Sequence, residues 1–260
     1  MADKLIFLGT GTSTGVPQIG CGCEVCTSPD PRDKRLRCSA LLKTSLGTLL
    51  IDCGPDFRSQ MLKLGSPDID ALLVTHSHYD HVGGMDDLRP YCYSHGGFDV
   101  YCRSDVARDL RERMPYSFNT KHPDRVPTFH LHEVGNKEFE VIGLKVIPLE
   151  VWHGDLPILG YRIGDFAYIT DAKFISQDTL QKLQGVETLV INALRIKEHP
   201  THMNLYDTLN VINYIKSKRA FLTHLSHDMG LHASVTRMLP DGVSIATDGL
   251  EIDLYHIILL

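Results

Sequence analysis

The sequence predicts an α/β protein in which two β-sheets pack face to face and helices cover their outer surfaces. Both halves of the chain are rich in short apolar runs of strand length, and segments with helical spacing lie between them. Hydrophobic residues make up 43% and charged residues 22% of the 260 residues, which is typical of a globular protein with a sizeable core. No low-complexity tract or linker divides the sequence, so we expect one domain over residues 1–260.

The first third of the chain alternates strand and turn signals. Apolar runs predict strands over residues 5–8, 40–43, 48–52 and 71–75. The second and third of these strands form a predicted hairpin. Residues 55–64 predict a helix, because Phe57 and Met61 share one face and Gly65 follows as a stop signal. The fourth strand runs directly into His76.

The second half repeats this strand-rich pattern. Apolar runs predict strands over residues 139–151, 159–172, 188–194 and 220–224, with a break at residues 154–157. Asn204 followed by Asp207 is typical of a capped helix start. Apolar residues continue from there at helical spacing, which predicts a helix over residues 204–217.

The charge balance and the cysteine count limit the partners and the compartment. The formal net charge of −6 disfavours binding to long nucleic acid, which needs a basic surface. No apolar run reaches the roughly 18 residues of a membrane span, and the first residues lack a secretory cleavage pattern. Seven cysteines, an odd number, favour thiol or metal chemistry over a disulfide framework. We therefore expect a cytoplasmic protein without membrane contact.

A dense group of metal-capable side chains follows the predicted strand 71–75. It consists of His76, His78, Asp80 and His81. Two residues apart in an extended segment, His76 and His78 project to the same side. One metal ion needs three or four protein ligands, so the group supplies part of the ligand set for two adjacent ions. Solvated polar side chains in a loop are the alternative, but so dense a cluster at a strand end has little structural use.

This segment matches the signature H-x-H-x-D-H, and through it the chain resembles the metallo-β-lactamase superfamily. The resemblance implies that family's αββα four-layer sandwich. It also implies three further metal ligands after later strands, which match His153, Asp171 and His224 in this sequence. Asp52, at the end of the predicted strand 48–52, matches the aspartate that supports the ligands from behind.

The resemblance implies how these side chains divide between two divalent cations. His76, His78 and His153 would hold one ion, whereas Asp80, His81 and His224 would hold the other, with Asp171 bridging. Two such ions lower the pKa of a shared water and supply hydroxide near neutral pH. Asp80 therefore counts as both a ligand and a catalytic residue. The mixed nitrogen and oxygen donors suit Zn²⁺ or Mn²⁺.

Three cysteines, Cys21, Cys23 and Cys26, lie within six residues near the start of the chain. This spacing can wrap a tetrahedral ion but lacks a fourth ligand nearby, so reduced thiols or a disulfide are alternatives. The motif G-C-x-C-x-x-C with an arginine-rich segment after it resembles the subgroup that includes the phosphoribosyl 1,2-cyclic phosphate phosphodiesterase. That subgroup's fourth ligand stands three residues after the last catalytic histidine, which matches His227. The resemblance therefore implies a closed structural zinc site.

Candidate substrate contacts come from one histidine and several arginines. The resemblance matches His202 to a histidine that protonates the leaving oxygen, a role that suits imidazole near pH 7. A polar loop histidine is the alternative. Arginine's planar fork suits a phosphate, although charged runs are commonly solvated surface. The candidate phosphate ligands are Arg32, Arg35, Arg37, Arg58 and Arg89, whereas His95 and His232 receive no role.

Together, these features predict a dinuclear metal-dependent phosphodiesterase that acts on a small cyclic phosphodiester, such as a phosphoribosyl cyclic phosphate. An RNA-processing nuclease of the same fold is one alternative, which the acidic charge disfavours. A non-catalytic metal-binding or sensing module is the other, which the complete ligand set disfavours. The expected cofactors are two Zn²⁺ or Mn²⁺ ions at the catalytic site and one structural Zn²⁺. The expected partner is a small phosphorylated substrate, and a homodimer stays open.

Overall fold

The computed structural model describes residues 3–118 and 125–257. Within these residues the chain forms strands β1 (Asp3–Gly9), β2 (Ser39–Lys43), β3 (Thr48–Ile51), β4 (Ala71–Leu73), β5 (Phe98–Cys102), β6 (Phe129–Glu133), β7 (Phe139–Val141), β8 (Leu144–His153), β9 (Leu156–Ile163), β10 (Phe166–Ile169), β11 (Phe174–Ile175), β12 (Thr188–Asn192), β13 (Arg219–Thr223), β14 (Val243–Ile245) and β15 (Glu251–Leu254). The α-helices are α1 (Glu24–Thr27), α2 (Phe57–Lys63), α3 (Tyr79–Val82), α4 (Arg89–His95), α5 (Ser104–Arg113), α6 (Gln177–Lys182), α7 (Leu205–Ile215) and α8 (His232–Thr236).

The strands form two mixed sheets. The first has the order β15-β1-β2-β3-β4-β5-β6, and the second has the order β11-β8-β9-β10-β12-β13-β14, with β7 paired to β8. Strands β3 to β6 run parallel to one another. In the second sheet β10, β12, β13 and β14 also run parallel. Parallel strands bring their carboxyl ends to one edge of a sheet, which is where ligands bind in many α/β proteins.

Both faces of the central strands are buried, which is why those strands are apolar throughout. In β1, Leu5 and Phe7 pack between the two sheets, whereas Ile6 and Leu8 pack under the outer helices. The core between the sheets joins residues of both, and a separate core lies on the outer face of each sheet. A fully buried leucine contributes roughly 1.5–3 kcal/mol relative to an exposed one. The predicted αββα order of layers is therefore confirmed.

Most predicted elements are found within a few residues of their expected bounds. The helix predicted over residues 204–217 is α7, and its start is a capping box in which the Asp207 N–H donates to Asn204 Oδ1 at 2.8 Å. None of the helices in the described residues has the length and apolarity that a membrane crossing requires.

Two strand predictions in the second half are wrong in detail. The runs 139–151 and 159–172 are each divided by a tight turn, at Gly143 and Gly164, which adopt φ values of 80° and 58°. Glycine reaches this left-handed region without steric cost, so each run folds back on itself as a hairpin. The predicted break at 154–157 is also too long, because Leu156 and Pro157 already belong to β9.

Arg35 belongs to the scaffold, so the expectation that it binds a phosphate is wrong. The residue is 6% exposed, and its Nη1 donates to Thr10 Oγ1 at 2.8 Å and to the Ala246 carbonyl at 2.7 Å. The neighbouring Asp248 carboxylate accepts from Thr10 Oγ1 at 2.7 Å and from the Leu36 N–H at 2.6 Å. Burial raises the pKa of Asp248, and these hydrogen bonds and the Arg35 charge oppose the rise. This cluster fastens the loop after β1 to the segment between β14 and β15.

We expect Arg35→Met to lower the free energy of unfolding by about 1–3 kcal/mol, because it removes the buried donor to Thr10 Oγ1 and to the Ala246 carbonyl. Arg32→Met is the matched control, since Arg32 is largely exposed and pairs with Asp30 at the surface. Chemical denaturation followed by circular dichroism measures both. A midpoint for Arg35→Met that equals the wild-type midpoint would contradict the scaffold role.

Candidate metal centre

The predicted metal ligands meet where strand ends of both sheets come together. His76 lies just beyond β4, Asp171 just beyond β10 and His224 directly after β13, and His153 is the last residue of β8. The loop that follows His76 then brings in His78, Asp80 and His81, which lie at the start of α3. The parallel topology thus collects at one edge side chains that are far apart in the chain.

Gly54 lets the segment after β3 approach this loop closely. A Cβ atom there would lie 2.1 Å from the Asp80 carbonyl oxygen, so only glycine fits. On either side, the Cys53 N–H donates to the His81 carbonyl at 2.7 Å, and the Gly84 N–H donates to the Cys53 carbonyl at 2.9 Å. These contacts therefore hold the histidine–aspartate loop, residues 76–81, in a fixed position against the segment after β3.

Asp80, His81, Asp171 and His224 form one group, with ligand atoms that all lie within 4.8 Å of one another. His81 Nε2 is 3.2 Å from Asp80 and 3.3 Å from Asp171, and His224 Nε2 is 3.5 Å from Asp80 and 3.1 Å from Asp171. The Nε2 atoms of His81 and His224 are nevertheless buried, and neither has a hydrogen-bond partner among the described residues. The donors of a tetrahedral zinc site, with bonds of about 2.0–2.1 Å, lie roughly 3.3 Å apart. The group therefore fits a divalent cation better than a hydrogen-bond network.

His76, His78 and His153 form a second group of rings beside it. The ring centroids of His76 and His78 are 4.6 Å apart, and that of His153 lies 5.8 and 5.2 Å from them. His76 Nε2 is buried without a partner among the described residues. The Nδ1–H of His153 donates to the Thr201 carbonyl at 2.9 Å, which leaves its Nε2 free for a metal. Burial holds the pKa of His76 well below its usual value, which keeps the ring neutral, as a ligand must be.

Asp52 lies directly behind His81 and is fully buried. Its carboxylate accepts from His81 Nδ1 at 2.7 Å and from the Thr75 N–H and Oγ1, both at 2.8 Å. This contact fixes the His81 proton on Nδ1 and turns Nε2 toward Asp80 and Asp171. Burial raises the pKa of Asp52, although the bonds from His81 and Thr75 oppose the rise. Asp52 was predicted from the sequence, whereas Thr75 was not, because its hydroxyl has no signal of its own in the sequence.

Three residues of the site have strained backbones. Asp52, Asp171 and His224 adopt φ values of 59°, 58° and 57°, in the left-handed region that disfavours side chains with a Cβ atom. Such residues cost roughly 1–3 kcal/mol each and cluster at functional sites. Burial opposes the ionisation of Asp171, but His224 and His81 outweigh it and hold the pKa of this carboxyl well below its usual value.

His202 lies inside the site and contacts Asp171. Its Nε2 is 3.1 Å from Asp171 Oδ1, and its Nδ1 is 2.9 Å from Thr201 Oγ1 and 3.2 Å from His199 Nδ1. Burial lowers the pKa of His202 to about 4. With His153 and Asp171 it forms a further group of closely spaced ligand atoms. The position therefore suits either a proton donor or an additional metal ligand, and Thr201 and His199 were not predicted as its neighbours.

The predicted zinc ligands come from the segment after β1 and the segment after β13, and they lie close together. The sulfur atoms of Cys21, Cys23 and Cys26 lie 3.3, 3.3 and 3.5 Å from His227 Nδ1. A single ring nitrogen cannot satisfy three thiols at once, whereas the sulfur–nitrogen edge of a tetrahedral zinc site measures roughly 3.6 Å. The Cys26 N–H and His227 lower the pKa of Cys23 to about 6, and burial raises the pKa of Cys26 to about 11. The donor set and spacing fit Zn²⁺.

The remaining arginines that were predicted to bind phosphate lie in three different surroundings. Arg58 and Arg89 line a cavity of about 680 Å³ between α2 and α4, and none of the candidate metal ligands lines it. Phosphate binding by these two residues stays a prediction. Asp30 holds the Arg32 guanidinium in a surface ion pair at 2.7 Å. Arg37 remains beside the metal-binding loop, with its Nε 3.2 Å from Asp56 Oδ2.

Comparisons with known proteins agree with this geometry. Residues 48–225 match the family model described as "Beta-lactamase superfamily domain". A crystal structure described as a new diphosphatase from the PhnP family has 39% sequence identity and a TM-score of 0.91, and the match covers 98% of each chain. Zn²⁺-bound PqqB from Methylobacterium extorquens, at 20% identity and a TM-score of 0.78, covers 96% of this chain and 100% of its own and has the same fold.

A curated relative is considerably longer than this chain. An octanoyltransferase of Porphyromonas gingivalis is 44% identical over 251 residues, which cover 95% of this chain and 51% of that protein. The chain therefore spans about half the length of this relative.

Cys23→Ser should remove one equivalent of zinc and lower the melting temperature, because a closed Cys₃His site stabilises structure and has no position for substrate. The wild-type protein should bind three ions, and the variant should keep the two at the histidine–aspartate site. Cys92→Ala, at a buried thiol outside both clusters, is the control for loss of a cysteine alone. Elemental analysis and thermal unfolding test this. The separate zinc site would be refuted if Cys23→Ser emptied the histidine–aspartate site, or if zinc content and melting temperature both stayed unchanged.

Proposed function

Because this chain belongs to the beta-lactamase superfamily, we propose that it is a metal-dependent phosphodiesterase that hydrolyses a small phosphorylated molecule. The observation that carries the proposal is the convergence of buried histidine nitrogens, without hydrogen-bond partners among the described residues, on the carboxylates of Asp80 and Asp171. Such an arrangement is costly unless cations compensate it. A phosphoryl group is a substrate on which paired cations act well.

The residues of the two groups would hold the two ions. His76, His78 and His153 would bind one, whereas Asp80, His81 and His224 would bind the other, and Asp171 would be shared. When bound, such ions lower the pKa of a shared water and neutralise charge on the phosphoryl oxygens. The protein's part is to fix the donors, through Asp52 behind His81 and the Thr201 carbonyl behind His153.

His202 is the proposed proton donor to the leaving oxygen. Its ring stacks against His224 at 5.2 Å, and the Thr201 hydroxyl contacts Nδ1, so Nε2 faces the metal-binding carboxylates. The burial that lowers its pKa to about 4 keeps the ring neutral in the free protein. A bound phosphate would bring negative charge beside the ring and favour the protonated form that a donor needs. Arg37, at the edge of the loop, is the proposed anion contact.

A diphosphate bond is a second candidate for the scissile linkage. The related structure with 39% identity over nearly the whole chain is described as a diphosphatase. Both linkages are attacked at phosphorus, but their leaving groups differ. A phosphodiester of a sugar expels a poorly stabilised alkoxide, which needs a proton, whereas a diphosphate expels a phosphate, which does not. His202 therefore distinguishes the two substrates experimentally.

Other activities have less support. Octanoyl transfer appears only in the name of a relative that is about twice as long as this chain. The site proposed here is instead a cluster of side chains that could hold a metal ion. A long nucleic acid is disfavoured by the net charge of −6. We therefore propose a small phosphorylated substrate.

We expect His202→Ala to slow hydrolysis of a cyclic alkyl phosphodiester by about 10²–10⁴-fold, because the alkoxide then leaves without a proton. Hydrolysis of bis(p-nitrophenyl) phosphate or of a dinucleoside diphosphate should lose much less, since those groups leave unprotonated. His199→Ala, which removes the more exposed neighbouring imidazole, is the matched control. Steady-state rates on the three substrates, with metal content measured for each variant, test this.

The outcomes separate the roles. Equal losses on all substrates, or a lost ion, would show that His202 is a metal ligand or a positioning group. A fully loaded wild-type protein without turnover on any phosphodiester or diphosphate would contradict the proposed function and favour a metal-binding module. A rate on the diphosphate far above those on the diesters would favour the second candidate.

A further inference from the structure

One contact of the shared carboxylate comes from a residue that is not a candidate ligand. Asp171 Oδ1 faces His202 and His224, each at 3.1 Å, and Oδ2 faces His81 at 3.3 Å. The remaining contact of Oδ2 is a hydrogen bond from the Thr170 hydroxyl at 2.5 Å. A hydroxyl that donates to a carboxylate makes one of the shorter and stronger hydrogen bonds in proteins.

Thr170 is suited to hold this carboxylate still. The residue is fully buried between β10 and Asp171, and its β-branched side chain has little freedom about χ1. Asp171 itself is only 2% exposed and has the strained φ value of 58°. Neither side chain can rotate into solvent. The hydroxyl takes one lone pair of Oδ2 and leaves the other lone pairs of the carboxylate directed at the histidine-lined space.

A buried thiol supports Thr170 from the opposite sheet. Cys38, just before β2, is fully buried, and its Sγ lies 3.1 Å from Tyr168 Oη, 3.2 Å from Thr223 Oγ1 and 3.9 Å from Thr170 Oγ1. Burial raises the pKa of this thiol to about 11, so it stays protonated at neutral pH. The three hydroxyls belong to the second sheet and the thiol to the first. The network therefore ties the two sheets together directly under Asp171.

We propose that Thr170 is a positioning residue that sets the orientation of the Asp171 carboxylate, and that Cys38 supports it from across the sheet interface. This inference rests on the proposed metal centre. A hydroxyl that serves only the core would leave metal binding unchanged when it is removed. A hydroxyl that positions the shared carboxylate would weaken binding of the ions that Asp171 contacts and spare the zinc at Cys21, Cys23, Cys26 and His227.

Three variants separate these roles. Thr170→Val keeps the shape and removes the hydroxyl, whereas Thr170→Ser keeps the hydroxyl. Thr208→Val is the matched control, because Thr208 is equally buried and donates to the Asn192 and Asn204 carbonyls but contacts no candidate ligand. Metal affinity is measured on the metal-loaded proteins by competition with a chelating dye, and thermal unfolding is measured on the same samples.

We expect Thr170→Val to bind the ions at the histidine–aspartate site about 10–100-fold more weakly, with the zinc at the cysteine site unchanged. Thr170→Ser should retain affinity close to that of the wild type, and Thr208→Val should lose stability without losing affinity. Wild-type affinity in Thr170→Val, or an equal loss in Thr208→Val, would overturn the proposal. If Thr170→Val does not fold, Thr170→Ala is compared with Thr170→Ser, and equal affinities for these two would overturn it. A wild-type protein that binds only the cysteine-site zinc would overturn the proposed metal centre itself.

Discussion

The rest of the site depends on the contacts of the buried Asp171 carboxylate with the histidines around it. This carboxylate lies at the junction of the two sheets, almost fully buried, and is within 3.3 Å of nitrogen atoms of His81, His202 and His224. The Nε2 atoms of His81 and His224 are buried without a hydrogen-bond partner among the described residues, which is unfavourable by itself. Divalent cations would give these two nitrogen atoms and the carboxylate metal–ligand bonds. The stability of this edge is therefore linked to metal binding.

The scaffold around the carboxylate explains how a protein can hold such a group. Strands from both sheets end at the same edge, and their apolar faces anchor each ligand-bearing loop in a core. Hydrogen bonds behind the ligands then fix the ring orientations, as Asp52 does for His81 and the Thr201 carbonyl does for His153. Two further clusters fasten the adjoining loops and supply no ligand to the histidine–aspartate group. One is the cysteine cluster with His227, and the other is the buried cluster around Arg35. Different groups of residues thus stabilise this edge of the sheets and supply the candidate metal ligands.

The sequence reveals those parts of this arrangement that depend on local pattern. The H-x-H-x-D-H segment, most of the buried strands and the capping box at Asn204 are each recognised from neighbouring residues, and they lie close to where they were expected. Thr75, Thr170 and Thr201 escaped notice because a hydroxyl gains its role only from atoms brought close by the fold. Arg35 was misassigned because a run of charges does not show which member the sheets will bury. The turns at Gly143 and Gly164 were missed because the apolar runs continue through them.

In the proposed metal centre, Asp171 would be shared by two cations, and a third ion would occupy the separate cysteine site. Anomalous X-ray diffraction from crystals of the metal-loaded protein, recorded at the zinc and manganese edges, tests it most directly. Three anomalous peaks are expected, two beside the Asp171 carboxylate and one among Cys21, Cys23, Cys26 and His227. A single peak or none beside Asp171 in fully loaded crystals would contradict it.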